Sequence, residues 1–202
     1  RGKPIDMLGI EFNDPEVMAR IGSGNTEGIF QLESAGMKSF MKELKPTTLE
    51  DIIAGISLYR PGPMDFIPRY LEGKNHPEEV RYECPQLETI LKPTYGCMVY
   101  QEQVMQIVRD LAGYTWGRSD LVRRAMSTKK EAVMKEELQN FVYGNEAEGI
   151  RGCVNNGISE AVANHLFDEM MDFANYAFNK SHAACYAYVS FQTAWLKHYY
   201  PK

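Results

Sequence analysis

The chain has 202 residues, 44% of them apolar and 24% charged, with a formal net charge of −5. That length supports one domain, or one domain with an appendage, built on a sizeable core. The acidic balance excludes a protein that coats nucleic acid with its whole surface, while leaving room for a local basic groove.

The hydrophobic period is mostly helical. Met37, Phe40, Met41 and Leu44 share one helical face, and Pro46 follows as a stop. Thr47 or Thr48 can cap the next helix, which carries Leu49, Ile52, Ile53 and Ile56 and must end before Arg60-Pro61-Gly62-Pro63. Residues 64–96 are broken by Pro68, Pro77, Pro85 and Pro93 and read as short helical pieces joined by turns. Gly96 to Tyr100 is expected to be briefly extended. A helix then runs from about Glu102 to Ala112 over Val104, Ile107, Val108 and Leu111, with Gly113 as its C-terminal cap. Met134, Leu138, Phe141 and Val142 form a further stripe. Ser159 caps a helix with Val162, Leu166 and Met170 on one side, and a last helix spans about His182 to Tyr199. Long strand patterns are absent. The expected fold is mainly α, an irregular helical domain with many short helices and at most a minor β element.

Two segments concentrate positive charge at helix ends. In Phe178-Asn179-Lys180-Ser181-His182, Ser181 can cap the first turn of the last helix, and Lys180 and His182 flank it. The first N–H groups of a helix lack internal partners and that end is electropositive, so this corner is suited to phosphate. An ordinary capped helix with two exposed polar residues fits the same segment. The stretch from Trp116 to Lys130 holds five cations, Arg118, Arg123, Arg124, Lys129 and Lys130. Ser119 can cap a short helix carrying Arg123 and Arg124, and Thr128 with Glu131 forms a second capping pattern, so the cations crowd a helix junction. Arginine suits that place because its planar fork binds phosphate oxygens bidentately and keeps its charge. A solvated basic face, with the arginines paired to local acids such as Asp120, accounts for the run equally well. Tyr100-Gln101-Glu102-Gln103 puts amides and a carboxylate at a helix start, where the helix dipole alone favours Glu102.

The remaining chemistry-bearing residues exclude more than they assign. Cys84, Cys97, Cys153 and Cys185 lie far apart with no CxxC spacing, which argues against structural zinc and a disulfide framework and for reduced thiols in a cytoplasmic protein. His76, His165, His182 and His198 include no paired-histidine zinc spacing. There is no GxGxxG, no GxxxxGK[ST] and no GxSxG. No apolar run reaches membrane-span length, and no signal-peptide pattern opens the chain. It starts at Arg1 and stops at Lys202, just after a helix, as expected of a piece of a longer protein. Anion-binding cations without an acid, base, nucleophile or metal set suggest an element that holds substrate rather than a catalytic centre.

Six motifs then occur in order: Gly28-Ile29-Phe30-Gln31-Leu32-Glu33-Ser34, Tyr59-Arg60-Pro61-Gly62-Pro63, Pro93-Thr94-Tyr95-Gly96, Tyr100-Gln101-Glu102-Gln103, Leu121-Val122-Arg123-Arg124-Ala125-Met126 and Phe178-Asn179-Lys180-Ser181-His182. The series resembles the alpha subunit of bacterial DNA polymerase III over nearly the whole chain. Residues 1–24 match loosely, as a segment following the palm, and residues 25–202 look like the fingers domain. The resemblance implies a nucleotidyltransferase in the intact subunit, with Mg2+ held by palm aspartates outside this chain, so that the chain alone binds no cofactor and is inactive. It implies as partners an incoming dNTP, primer–template DNA, the palm and other domains of the same polypeptide, and other replicase subunits, with no membrane. Arg123 and Arg124 are then assigned to the triphosphate, with Lys129 and Lys130 as lesser candidates. Asn179, Lys180, Ser181 and His182 fall on the nucleotide or its phosphates, and Arg60, Gln101 and Glu102 are further pocket residues. Three positions in two motifs depart from the usual pattern. Ser127 and Thr128 stand where Gly and Lys are common, and Ala177 stands where Gly is common, which argues against a positive φ there. The alternatives are a free-standing helical interaction module and an autonomous nucleotide-binding or hydrolysing domain.

Overall fold

The computed structural model describes residues 4–128 and 131–201, with only the backbone at Glu131. Ten α-helices and four short 3-10 turns form the regular structure of these residues. Their β structure is limited to two isolated bridges, Tyr100 with Phe178 and Asn145 with Ile150, so the mainly α expectation holds. The chain divides into two compact units, one from residues 1–67 and 180–202, the other from residues 68–179.

In the first unit, α1 (Pro15–Gly22) starts on Asp14, whose Oδ1 accepts from the Glu16 and Val17 N–H groups at 2.9 and 3.2 Å. Proline at the first helical position costs no hydrogen bond. α2 (Ala35–Leu44) is capped by Ser34 and buries Met37, Phe40, Met41 and Leu44, the stripe read from sequence. α3 (Leu49–Leu58) carries a capping box. Thr48 Oγ1 accepts from Asp51 N, and Asp51 Oδ2 accepts from Thr48 N at 3.2 Å. Ile52, Ile53, Ile56 and Leu58 are buried around the whole circumference of α3, each contributing about 1.5–3 kcal/mol relative to exposure. α10 (Lys180–Tyr199) packs on α3 and α1. Four of its five buried positions, Ala183, Ala187, Ser190 and Ala194, are small and recur at helical spacing, while the fifth, Phe191, fills the core. Phe12 stacks on Tyr188 at 3.8 Å between ring centroids. Between α3 and the 3-10 turn Pro63–Phe66, Gly62 adopts φ 97°, a left-handed conformation that a side chain resists.

The second unit is arranged around α6 (Gln101–Ala112), which buries Val104, Ile107, Val108, Leu111 and Ala112. Packed against it are α5 (Pro85–Leu91), α7 (Trp116–Thr128) and α8 (Glu131–Tyr143). α9 (Glu160–Phe173) packs on α8 and α7, and α4 (Ile67–Asn75) leads into the unit. Gly113 closes α6 at φ 81°, as expected of a C-terminal cap. Ser159 caps α9 by accepting from Val162 N. Ala177 is not among the positive-φ residues, in agreement with the sequence reading.

Three local expectations are corrected. Ser119 caps nothing. It lies buried inside α7 with its hydroxyl on the Thr115 carbonyl, and Thr115 Oγ1 accepts from Arg118 N at the helix start. Ser181 likewise sits inside the first turn of α10, because the helix begins at Lys180. On α8, the buried positions include Glu137 and Asn140, while Leu138 is half-buried. Met134, Phe141 and Val142 are buried as expected, so the apolar stripe marks the right face but omits its two polar members. Thr128 ends α7 with its hydroxyl on the Ala125 carbonyl. The Glu131 side chain proposed to pair with it lies outside the described residues.

Candidate phosphate-binding site

α7 positions the arginines. Its inner face is Ser119, Val122 and Met126, all buried, and this turns Asp120, Arg123 and Arg124 outward. These three stand at i, i+3 and i+4, close enough for side-chain pairing. Arg123 donates to Asp120 Oδ1 through Nε at 3.1 Å and Nη2 at 2.7 Å, and Arg124 Nη2 reaches Asp120 Oδ2 at 2.7 Å. One carboxylate thus gathers both guanidinium groups on one side of the helix. The Arg123 hydrogen bond, with the charges of Arg123 and Arg124, holds the Asp120 carboxyl below its ordinary range despite some desolvation. Arg124 remains 68% exposed at its side chain and Arg123 20%. Lys129 and Lys130 lie outside the described residues.

Arg118, the third arginine of the helix, is committed elsewhere. It donates to the buried Glu137 carboxylate of α8 and, through Nε, to Glu148 at 2.9 Å. Tyr114 donates to the other Glu137 oxygen at 3.1 Å. Burial first, and the adjacent Glu137 charge second, push the Tyr114 hydroxyl far up, so it stays a donor. This group fixes α7 to α8.

The corner at the start of α6 is built by backbone pairing. Gln101 N donates to Phe178 O at 3.0 Å, and Phe178 N donates to Val99 O at 3.3 Å. Asn179, exposed, donates from Nδ2 to Glu102 Oε1 at 3.0 Å. The structure therefore brings Glu102 and Asn179 together, as the sequence motifs alone could not. Gln103 is a fold residue. Its Oε1 accepts from Val99 N and Tyr100 N, and its Nε2 donates to Ile90 O and Thr94 Oγ1. Gln101 is half-buried at the helix start.

In the other unit, Lys180 Nζ pairs with Glu50 at 2.9 Å, and the exposed His182 lies against the Tyr186 ring at 4.3 Å between centroids. Ser181 is exposed beside them in the first turn of α10. Arg60 donates from Nε to the Ser57 carbonyl at 3.0 Å, and burial lowers its pKa. Its guanidinium helps terminate α3.

Sequence spacing also missed a pairing between elements. His165 and Glu169 lie one turn apart on α9, and Glu83 before α5 meets His165 Nδ1 at 2.7 Å. Arg69 Nη1 pairs with Glu169 Oε1 at 3.2 Å, so a cation already holds one oxygen of this cluster. No helix among the described residues is long and apolar enough to cross a membrane.

The described residues of this unit thus present paired arginines on α7 and a backbone-built corner carrying Glu102 and Asn179. The family described as bacterial DNA polymerase III alpha subunit finger domain matches residues 1–149, and the chain belongs to it. Similar curated relatives are named DNA polymerase III subunit alpha. One from Thermus aquaticus is 46% identical over 206 residues, covering 100% of this chain, and one from Halalkalibacterium halodurans is 44% identical over 200 residues, covering 99%. A relative from Staphylococcus epidermidis is 43% identical over 197 residues. The chain spans 16% to 18% of the length of these relatives.

Proposed function

We propose that this domain holds the triphosphate of the incoming dNTP, and flanks the nascent base pair, during template-directed synthesis by a cytoplasmic DNA polymerase III alpha subunit. The observation that carries the reading is the pair of adjacent arginines on α7, drawn to one side by Asp120. At ~4 Å and an effective dielectric near 20, one arginine–phosphate contact supplies on the order of 4 kcal/mol before desolvation is subtracted. Asn179, Lys180, Ser181, His182, Gln101 and Glu102 are the further contacts of this reading, with Arg60 supporting the helix that precedes its motif. Lys129 and Lys130 add charge beyond the end of α7. The partners are the dNTP, primer–template DNA, the palm and neighbouring domains, and other replicase subunits.

Two Mg2+ ions would supply charge neutralisation and an activated primer hydroxyl in the intact enzyme. Hard cations need several free oxygens. The carboxylate on the arginine row, Asp120, has each oxygen in an ion pair with an arginine, so this row does not fit the metals. Their ligands belong to the palm, and the isolated chain is expected to be inactive.

The test is equilibrium dNTP binding by the full-length subunit on a dideoxy-terminated primer–template. The Arg123→Ala/Arg124→Ala double variant should bind dNTP at least tenfold more weakly. An unchanged Kd would overturn the reading.

A further inference from the structure

The two oxygens of Asp120 are divided between two arginines. Oδ1 accepts from both Nε and Nη2 of Arg123, the same edge of the guanidinium that can take phosphate oxygens, and Oδ2 takes Nη2 of Arg124. All three side chains are partly solvent-accessible, at 29%, 20% and 68% exposure, so an arriving anion reaches them without moving the helix. We infer that Asp120 is a specificity-determining positioning residue, an internal anion that occupies the arginine pair until an oligophosphate displaces it.

This inference rests on the nucleotide reading above. A carboxylate brings one charge and two oxygens. A triphosphate brings several charges on one chain of oxygens, and can satisfy both forks at once. Inorganic orthophosphate offers less charge and a single phosphorus centre, so it displaces Asp120 poorly. The ion pairs therefore set a threshold that discriminates between phosphate species, and they keep both forks aligned while no ligand is bound. The lowered pKa of Asp120 means that the internal anion stays charged at neutral pH.

Calorimetric titration of the full-length subunit with inorganic tripolyphosphate and with orthophosphate, without divalent cations so that palm metals contribute nothing, tests the inference. Asp120→Asn should bind tripolyphosphate about three- to tenfold more tightly, because two partly exposed ion pairs no longer compete. Its preference for tripolyphosphate over orthophosphate should shrink, and Asp120→Glu should restore wild-type values. A damaged helix can only lose affinity, so a gain separates this role from a structural one. If Arg123→Ala and Arg124→Ala weaken binding while Asp120→Asn leaves it unchanged or weaker, the Asp120 inference fails and the arginine reading stands. If none of these variants alters tripolyphosphate binding, both fail.

Discussion

The Arg118 guanidinium of α7 donates to Glu137 of α8, a carboxylate only 3% exposed at its side chain. The same carboxylate accepts from Tyr114 at 3.1 Å. A buried charge held this way adds little net stability over an apolar pair, but removing one partner strands the other. Arg118→Ala should therefore lower stability by about 3 kcal/mol, since the buried Glu137 carboxylate is left without its cation. Glu137→Gln, which keeps a hydrogen-bond acceptor, should cost less. Urea unfolding of the chain measures both. Equal, negligible losses would show that this group does not fix α7.

Gln103 offers a second structural test. Its amide serves Val99 N, Tyr100 N, Thr94 Oγ1 and Ile90 O, all in the interior. Gln103→Ala leaves two backbone donors unpaired at about 1–3 kcal/mol each. Gln103→Glu should also destabilise, because a carboxylate accepts but does not donate to Ile90 O. Hydrogen exchange should accelerate at Val99 and Tyr100 first. Unchanged exchange there would refute the assignment.

Local signals carried the helical skeleton. Thr48, Ser159 and Gly113 mark ends that backbone chemistry requires, and the periodic apolar residues of α2 and α6 lie in the core. The i, i+3, i+4 arrangement of Asp120, Arg123 and Arg124 is also visible in the sequence. What stayed hidden depends on partners remote in the chain. An acidic residue such as Glu137 reads as solvated unless Arg118 and Tyr114, 19 and 23 positions earlier, are known to face it. Asn179 and Glu102 are separated by 77 positions, and only the backbone pairing of Phe178 with Gln101 brings them together. Ser119 and Ser181 have the residue type of a cap, but each helix starts earlier than the serine, at Trp116 and Lys180.

The thiols give a pH-dependent prediction. Burial pushes Cys97 up to about 11 and Cys153 up to about 12, while Cys185 is exposed. A folded-state pKa raised above the unfolded value means that the folded chain holds its proton more tightly. The associated stability is present in full below the ordinary thiol range and is lost as pH rises toward these values. The melting temperature should fall between about pH 9 and 11, and Cys97→Ala should make that fall shallower. At pH 8, a maleimide should label Cys185 first. Rapid labelling of Cys97 or Cys153 in the folded chain would contradict their burial.

Arg123 and Arg124 carry the functional prediction. Charge-assisted hydrogen bonds contribute about 1.5–3 kcal/mol each. Replacing either arginine with alanine in the full-length subunit should lower kcat/KM for the nucleotide by roughly one to two orders of magnitude. Arg→Lys should recover part of the loss, because a single ammonium cannot reproduce the fork. The two positions should differ in their structural cost. Arg124 is 68% exposed, so its loss should leave the melting temperature nearly unchanged; Arg123, at 20%, packs more of its stem and should show a small decrease. Single-nucleotide incorporation beside a melting curve for each variant separates the two roles. Normal nucleotide kinetics with a sharply lowered melting temperature would make the pair an ion-pair brace with Asp120 rather than a triphosphate clamp.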